Sequence, residues 1–215
     1  MTTFAATNKT APAGPAGHDA PEPTWEIADV FPAQGAWSEA EYLAMNVNRL
    51  LEYSHGRPEV LATPTQAHQL VVAFLYQLLL AFASARKLGV VLFAPLRVRL
   101  WPGKYREPDV VFMLAEHAAR RSNDFWDGAD LVMEVVSDED RRRDTETKRF
   151  EYARAGIPEY WIVDPSKERI TVLRLEGNHY VTHGEFERGG QAHSALLAGF
   201  GVDAAAVFDS GKEKA

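Results

Sequence analysis

The sequence predicts a single α/β (or α+β) domain in which helices flank a mixed β-sheet core. Three observations carry that expectation. Asp109–Met113 and Leu131–Val136 hold near-continuous apolar runs, as strands covered on both faces require. A long apolar helical pattern at 66–87 and a polar one at 139–155 accompany them, and no internal repeat divides the chain. The chain has 215 residues, of which 1–24 read as a separate tail, and the remaining stretch of about 190 suits one core.

Taken in order, residues 1–24 are rich in Ala, Pro, Thr and Gly and lack a periodic apolar face. Such a segment buries too little surface to offset its ordering entropy, so disorder is expected there. The domain is expected at 25–210, with 211–215 a flexible C-terminus. Ser38 with Glu41 three residues on has capping-box spacing and opens a helix. Leu51–Leu61 reads as strand, glycine turn at Gly56, and second strand. After Pro64 a helix runs from Gln66 to Lys87, its end marked by Arg86, Lys87 and Gly89. Val90–Phe93 and Leu96–Trp101 are short strands before a Pro102-Gly103 turn. The polar helix from Glu139 to Ala155 is closed by Gly156 and Pro158. Tyr160–Val163, Ile170–Leu173 and His179–Phe186 complete the strands, with Trp161 in the core.

Composition narrows the function. With 46% apolar and 25% charged residues the chain has the balance of a soluble globular protein. Its 23 Lys and Arg against 30 Asp and Glu give a net charge of −7, which argues against a charge-driven nucleic-acid coat protein. The lack of cysteine excludes disulfides, thiolate metal centres and cysteine nucleophiles. Met1–Ala6 lacks the basic flank and apolar run of a signal peptide. Leu70–Ala83, interrupted by Gln77, falls short of the roughly 20 residues of a bilayer span and reads as a buried core helix. A cytoplasmic protein without a membrane partner is the expectation.

Two carboxylates stand where charge does not belong. Asp109 opens one apolar strand directly after Pro108, and Glu134 lies inside another between Met133 and Val135. Burying a lone carboxylate costs several kcal/mol, so each needs a cation, a hydrogen-bond network or a proton. Alternation puts Glu134 on the face of Val132 and Val136. If the strands are neighbours, the two carboxylates converge at one end of the sheet, where a hard divalent cation would relieve their repulsion. Lys148 comes out at a similar height to Glu134, at about 1.5 Å per helical and 3.3 Å per strand residue. Asp144, four residues before it, reads as a helix cap or an ordinary ion-pair partner, the cap being favoured.

The succession Glu107-Pro108-Asp109, then Glu134-Val135-Val136-Ser137, then Asp144, Lys148-Arg149, Tyr152 and Gly156-Ile157-Pro158-Glu159-Tyr160-Trp161-Ile162-Val163-Asp164 resembles the Uma-type restriction-endonuclease family of the PD-(D/E)XK nuclease superfamily. Glu52, in Leu51–Gly56, is similar to that family's early Glu-x-x-x-Gly element, and Pro64 and His68 also match its pattern. The resemblance runs from about Trp37 to Phe208. It implies a restriction-endonuclease-like fold, a Mg²⁺ (or Mn²⁺) site and phosphodiester hydrolysis. By the same resemblance Asp109 and Glu134 would be metal-binding carboxylates, Glu52 the acidic residue that joins them, and Lys148 the lysine. The superfamily pattern places lysine two residues after the glutamate, where this chain has Val136. Lys148 is the matching position on the following helix.

The chemistry implied is metal-assisted hydrolysis, with Lys148 orienting water or offsetting negative charge. Arg141, Arg142, Arg143 and Arg149 form, with Arg154, the densest basic cluster and are the candidates for gripping phosphates of nucleic acid, DNA in first place. The alternative is a nuclease-fold module that binds nucleic acid or a protein without cleaving, which Val136 and the acidic net charge keep open. A two-carboxylate hydrolase of sugars, needing no metal, is a distant third. Exposed edges near Ile170–Leu175 could pair across a two-fold axis to give a homodimer. His179 and His183 read as surface residues.

Overall fold

The computed structural model describes residues 32–47, 49–138 and 141–212, so the expected tail at 1–24, the start of the domain and residues 213–215 lie outside the described residues. The elements described fall within one compact unit that begins at Gln34. They run α1 (Glu39–Ala44), β1 (Leu51–Ser54), β2 (Arg57–Val60), α2 (Gln66–Arg86), β3 (Gly89–Phe93), β4 (Val98–Trp101), β5 (Lys104–Arg106) and β6 (Val110–Leu114). A 3₁₀ turn at Ala115–Arg120 precedes β7 (Trp126–Asp127) and β8 (Leu131–Val135). A π-helical turn, Arg143–Thr147, leads into α3 (Lys148–Arg154), followed by β9 (Glu159–Asp164), β10 (Arg169–Glu176), β11 (His179–Glu187), β12 (Gln191–His193), β13 (Gly201–Asp203) and α4 (Ala204–Ser210).

The strands form two main sheets. The larger has the order β11-β10-β9-β8-β6-β3 and is antiparallel except for β8–β9, which are parallel because the π turn and α3 carry the chain back between them. Its central strands β6, β8 and β9 are buried almost throughout, as their near-continuous apolar runs require. One face packs on α2 and α4 through Leu75, Leu79, Phe112, Met133, Trp161 and Val207. The opposite face packs on α3 and on β4 and β7 through Val98, Trp126, Val132, Tyr152, Ile157 and Tyr160. The smaller sheet, β2-β1-β5-β4-β7, carries α1, whose Tyr42 stacks on Tyr53 at 4.9 Å between ring centroids. Mixed sheets flanked by helices are thus the fold.

Local rules explain the joints. Ser38 and Glu41 make both hydrogen bonds of the capping box on α1. The β1–β2 turn puts His55 and Gly56 both at positive φ, 46° and 80°, the two-residue hairpin turn that favours glycine second. Lys87, not Gly89, takes the left-handed position that ends α2. Gly89 instead opens β3, where a Cβ would lie 2.1 Å from the Met113 carbonyl oxygen. Glu159, fully buried, accepts from the Trp161 indole, the Ser194 hydroxyl and the backbone N–H groups of Ala195 and Leu196. That carboxylate ties the start of β9 to the segment before β13.

Two expectations change. Helix α2 is half-buried: Val71, Val72, Leu75, Leu79 and Ala83 face the sheet while Leu70 and Ala73 are exposed. The stretch Ile170–Leu175 is no edge, because β10 pairs with β9 on one side and β11 on the other. The edges of the larger sheet are β3 and β11. A two-fold pairing through Ile170–Leu175 is therefore ruled out by hydrogen bonds already made.

Candidate active site

Strand pairing brings the two carboxylates to one end of the larger sheet. Val110 lies opposite Met133 in the β6–β8 ladder, so Asp109, one residue before β6, meets the C-terminal end of β8. There its Oδ2 accepts a 2.8 Å hydrogen bond from the Val135 N–H. Glu134 projects toward α3, with Val132 and Val136, while Met133 and Val135 turn to the α2 side. A cavity of about 560 Å³ opens at this end, lined by Asp109, Glu134, Asp144, Lys148, His68 and Arg143 among others.

Lys148 crosses from α3 to the sheet. Its Nζ lies 2.8 Å from Glu134 Oε2, 2.9 Å from Asp144 Oδ1 and 3.9 Å from Glu52 Oε1, and all four side chains are buried. The π turn sets this up. The Lys148 N–H bonds to the Arg143 carbonyl five residues back, and this wider turn lets Arg143, Asp144 and Lys148 all face the carboxylates. Tyr152, one turn after Lys148, donates its hydroxyl to Glu134 Oε1. Among the described residues Asp144 caps no helix N–H and instead is the buried partner of Lys148, which corrects the expectation of a cap. The i,i+4 spacing was visible in the sequence, but its burial was not.

Burial, with Asp109 and Asp144 nearby, pushes the Glu134 carboxyl up to about 8, against the pull of Lys148. Burial alone would strip the Lys148 proton, but Glu134, Asp144, Glu52 and Asp109 together hold the ammonium well above its usual range. The cluster therefore carries more carboxylate than one lysine balances. An added cation is the natural relief.

Glu52 sits behind Lys148 and outside the cavity. It is fully buried, with Oε2 bound by both Arg106 and Arg143. Burial raises its pKa, but Lys148, Arg106 and Arg143 outweigh that and hold it at about 2. It contacts Lys148 and Arg143 and does not line the cavity that Asp109 and Glu134 line. Arg106 extends the network to Glu151 at 2.7 Å and to Glu59 at 3.0 Å.

The arginines predicted to grip phosphate are engaged separately. Arg141 pairs with Asp164 and Asp138, and Arg143 with Glu52 and Glu59 at the cavity wall. Arg149 donates to the Tyr180 carbonyl, and Arg154 lies 4.4 Å over the Trp101 ring. Arg142 extends into solvent, at 87% side-chain exposure, with Glu146 3.0 Å away.

Two cavity residues had no role assigned from the sequence. His68, in the first turn of α2, places Nε2 3.0 Å from the Val135 carbonyl oxygen and 3.3 Å from Asp109 Oδ2. Burial lowers its pKa, but Asp109 and the Val135 carbonyl move it above the ordinary imidazole value. Glu107, which accepts from the Leu51 N–H, is pushed up to about 7, first by burial and then by Glu52. Its position two residues before Asp109 was the available signal.

A solved structure from Anabaena variabilis, titled as a "putative nuclease belonging to DUF820", superposes with a TM-score of 0.69 at 14% identity, covering 82% of this chain and 99% of that one. At that identity the match shows the fold. No curated protein matches the chain. Residues 37–205 match the family described as "Uma2: Putative restriction endonuclease", which spans both main sheets and every residue of the site, and the chain belongs to that family.

Proposed function

We propose that this protein is a divalent-metal-dependent endonuclease that hydrolyses phosphodiester bonds of nucleic acid, DNA in first place. The observation that carries the reading is Lys148 arriving from α3 between Glu134 and Asp144, in one cavity with Asp109. Membership of a restriction-endonuclease-type family supports it.

The donor set fits a hard cation. Asp109 and Glu134 offer carboxylate oxygens at the same end of paired strands, and the burial and neighbouring carboxylates that lift Glu134 are costs that a bound cation would offset. Among the described residues no three His, Asp or Glu groups already stand at metal-holding distances, and Lys148 contacts one Glu134 oxygen and Tyr152 the other. Two protein carboxylates with waters and substrate phosphate completing the shell is the usual arrangement for Mg²⁺. The chemistry such a cation supplies when bound is polarisation of a phosphate oxygen and a lowered pKa for water.

The chain's own groups supply the rest. Lys148, held protonated, places fixed positive charge where negative charge builds in the phosphoryl transition state. Glu52 and Asp144 keep the long side chain in one rotamer, so no reorganisation is needed at the moment of reaction. Tyr152 fixes the Glu134 carboxyl plane. Lys148 reaches Glu134 although Val136 stands at the usual lysine position, which favours the catalytic reading over a binding module.

The test is a substrate panel of supercoiled plasmid, single-stranded DNA and RNA, each with Mg²⁺, Mn²⁺ or chelator. Metal-dependent cleavage with plasmid or DNA preferred is the expected result. Binding without cleavage under every metal would favour the silent module.

A further inference from the structure

Asp109 has two carboxylate oxygens in unlike settings. Its Oδ2 takes the Val135 N–H at 2.8 Å and faces His68 Nε2 at 3.3 Å. Among the described residues no hydrogen-bond donor reaches Oδ1. Both groups near Nε2, the Val135 carbonyl and Asp109 Oδ2, are acceptors, so Nε2 carries the proton whatever the charge on the ring. The other ring nitrogen, Nδ1, is buried with no hydrogen-bond partner among the described residues, so the polar contacts of the imidazole run through Nε2.

The backbone that carries the ring is anchored. Thr65 caps α2 by accepting from the His68 N–H at 3.2 Å, which places His68 in the first turn, at the mouth of the cavity. One N–H from the helix therefore meets the backbone carbonyl of the residue after Glu134 and the carboxylate of Asp109.

We infer that His68 is the positioning residue of the cation site: held by its Nε2–H···O bond to the Val135 carbonyl, it stands 3.3 Å from Oδ2 of Asp109 and flanks that side of the carboxylate, leaving Oδ1 for the cation. This rests on the metal-dependent reading above. A second partner that orients a ligand carboxylate typically governs metal affinity by about 10- to 100-fold. These contacts of the His68 imidazole with the Val135 carbonyl and the Asp109 carboxylate also couple the seating of α2 to the site.

The experiment is Mn²⁺ binding by calorimetry and electron paramagnetic resonance on full-length wild type, His68→Ala, His68→Phe, His68→Gln and Asp109→Ala. His68→Phe keeps the ring volume without a donor and stands in if the alanine variant unfolds. The expected result is about tenfold weaker Mn²⁺ binding in His68→Ala and His68→Phe, near-wild-type binding in His68→Gln, whose amide restores the N–H, and none in Asp109→Ala. Cleavage by His68→Phe would recover as Mn²⁺ is raised, which a loss of folded protein would not allow. Equal affinity in wild type and His68→Phe overturns the inference while leaving the metal reading intact. A wild type that binds no Mn²⁺ overturns both.

Discussion

Lys148 and Glu134 come from different elements, α3 and β8, yet Nζ and Oε2 lie 2.8 Å apart, both side chains buried at the end of the larger sheet. The pair joins a strand interior to the helix that follows it, with Asp144 and Glu52 closing around the ammonium. Replacing Lys148 tests both catalysis and stability. Lys148→Met should lower cleavage by about 10²- to 10³-fold, the scale of removing one preorganised charge donor. It also leaves buried carboxylates without their cation, at about 3–5 kcal/mol of stability. Urea unfolding beside plasmid nicking separates the two, and a variant with unaltered nicking would remove Lys148 from the chemistry.

Acid should unfold this protein partly through Glu52. Its folded pKa, about 2, lies below the ordinary value of 4.5, so it contributes stability that is complete above pH 4.5 and lost as pH falls toward 2. The size is on the order of 3 kcal/mol. Glu52→Gln should be less stable at pH 7 and show a flatter acid limb between pH 4.5 and 2. Parallel limbs in the two proteins would contradict the assignment.

Glu107 acts with the opposite sign. Its folded pKa of about 7 lies above the ordinary 4.5, so its contribution is present below pH 4.5 and is lost as pH rises through 7. Glu107→Gln keeps an acceptor for the Leu51 N–H without the charge. Thermal melts should show the variant more stable than wild type at pH 8 and no more stable at pH 4. A variant less stable at pH 8 would count against a buried, strained carboxylate.

These groups also mark what the sequence could and could not convey. The central strands were legible because an apolar run without alternation needs cover on both faces, and Glu134 stood out against that run. The height estimate for Lys148 worked because helix and strand rises are nearly constant. The second sheet was not legible: β5 and β7 have three and two residues, too short to show a period. The burial and partners of Glu52 and Asp144 were not legible for a different reason. Burial of an acidic residue beside a basic one depends on which faces meet, and Arg106, which claims Glu52, is 54 residues away in the chain. The basic run Arg141–Arg143 looked like one patch, but successive helical residues point in different directions, and each found its own acidic partner.

Arg142 is accordingly the residue to probe for backbone contact. Arg142→Ala should weaken duplex binding equally across sequences and reduce the slope of log affinity against log salt by about 1. Fluorescence anisotropy over a salt series measures both. An unchanged slope would exclude Arg142 from the phosphate contacts.

The central claim is that Asp109, set against the end of β8 beside Glu134, serves a metal-dependent diester hydrolysis. The most direct measurement is the nicking rate of supercoiled plasmid in Mn²⁺ for wild type and Asp109→Ala at matched folded concentration, with a chelator control. The account predicts nicking by wild type that chelator abolishes and that Asp109→Ala lacks, with circular dichroism unchanged. Nicking that survives in folded Asp109→Ala, or persists in chelator, would contradict it.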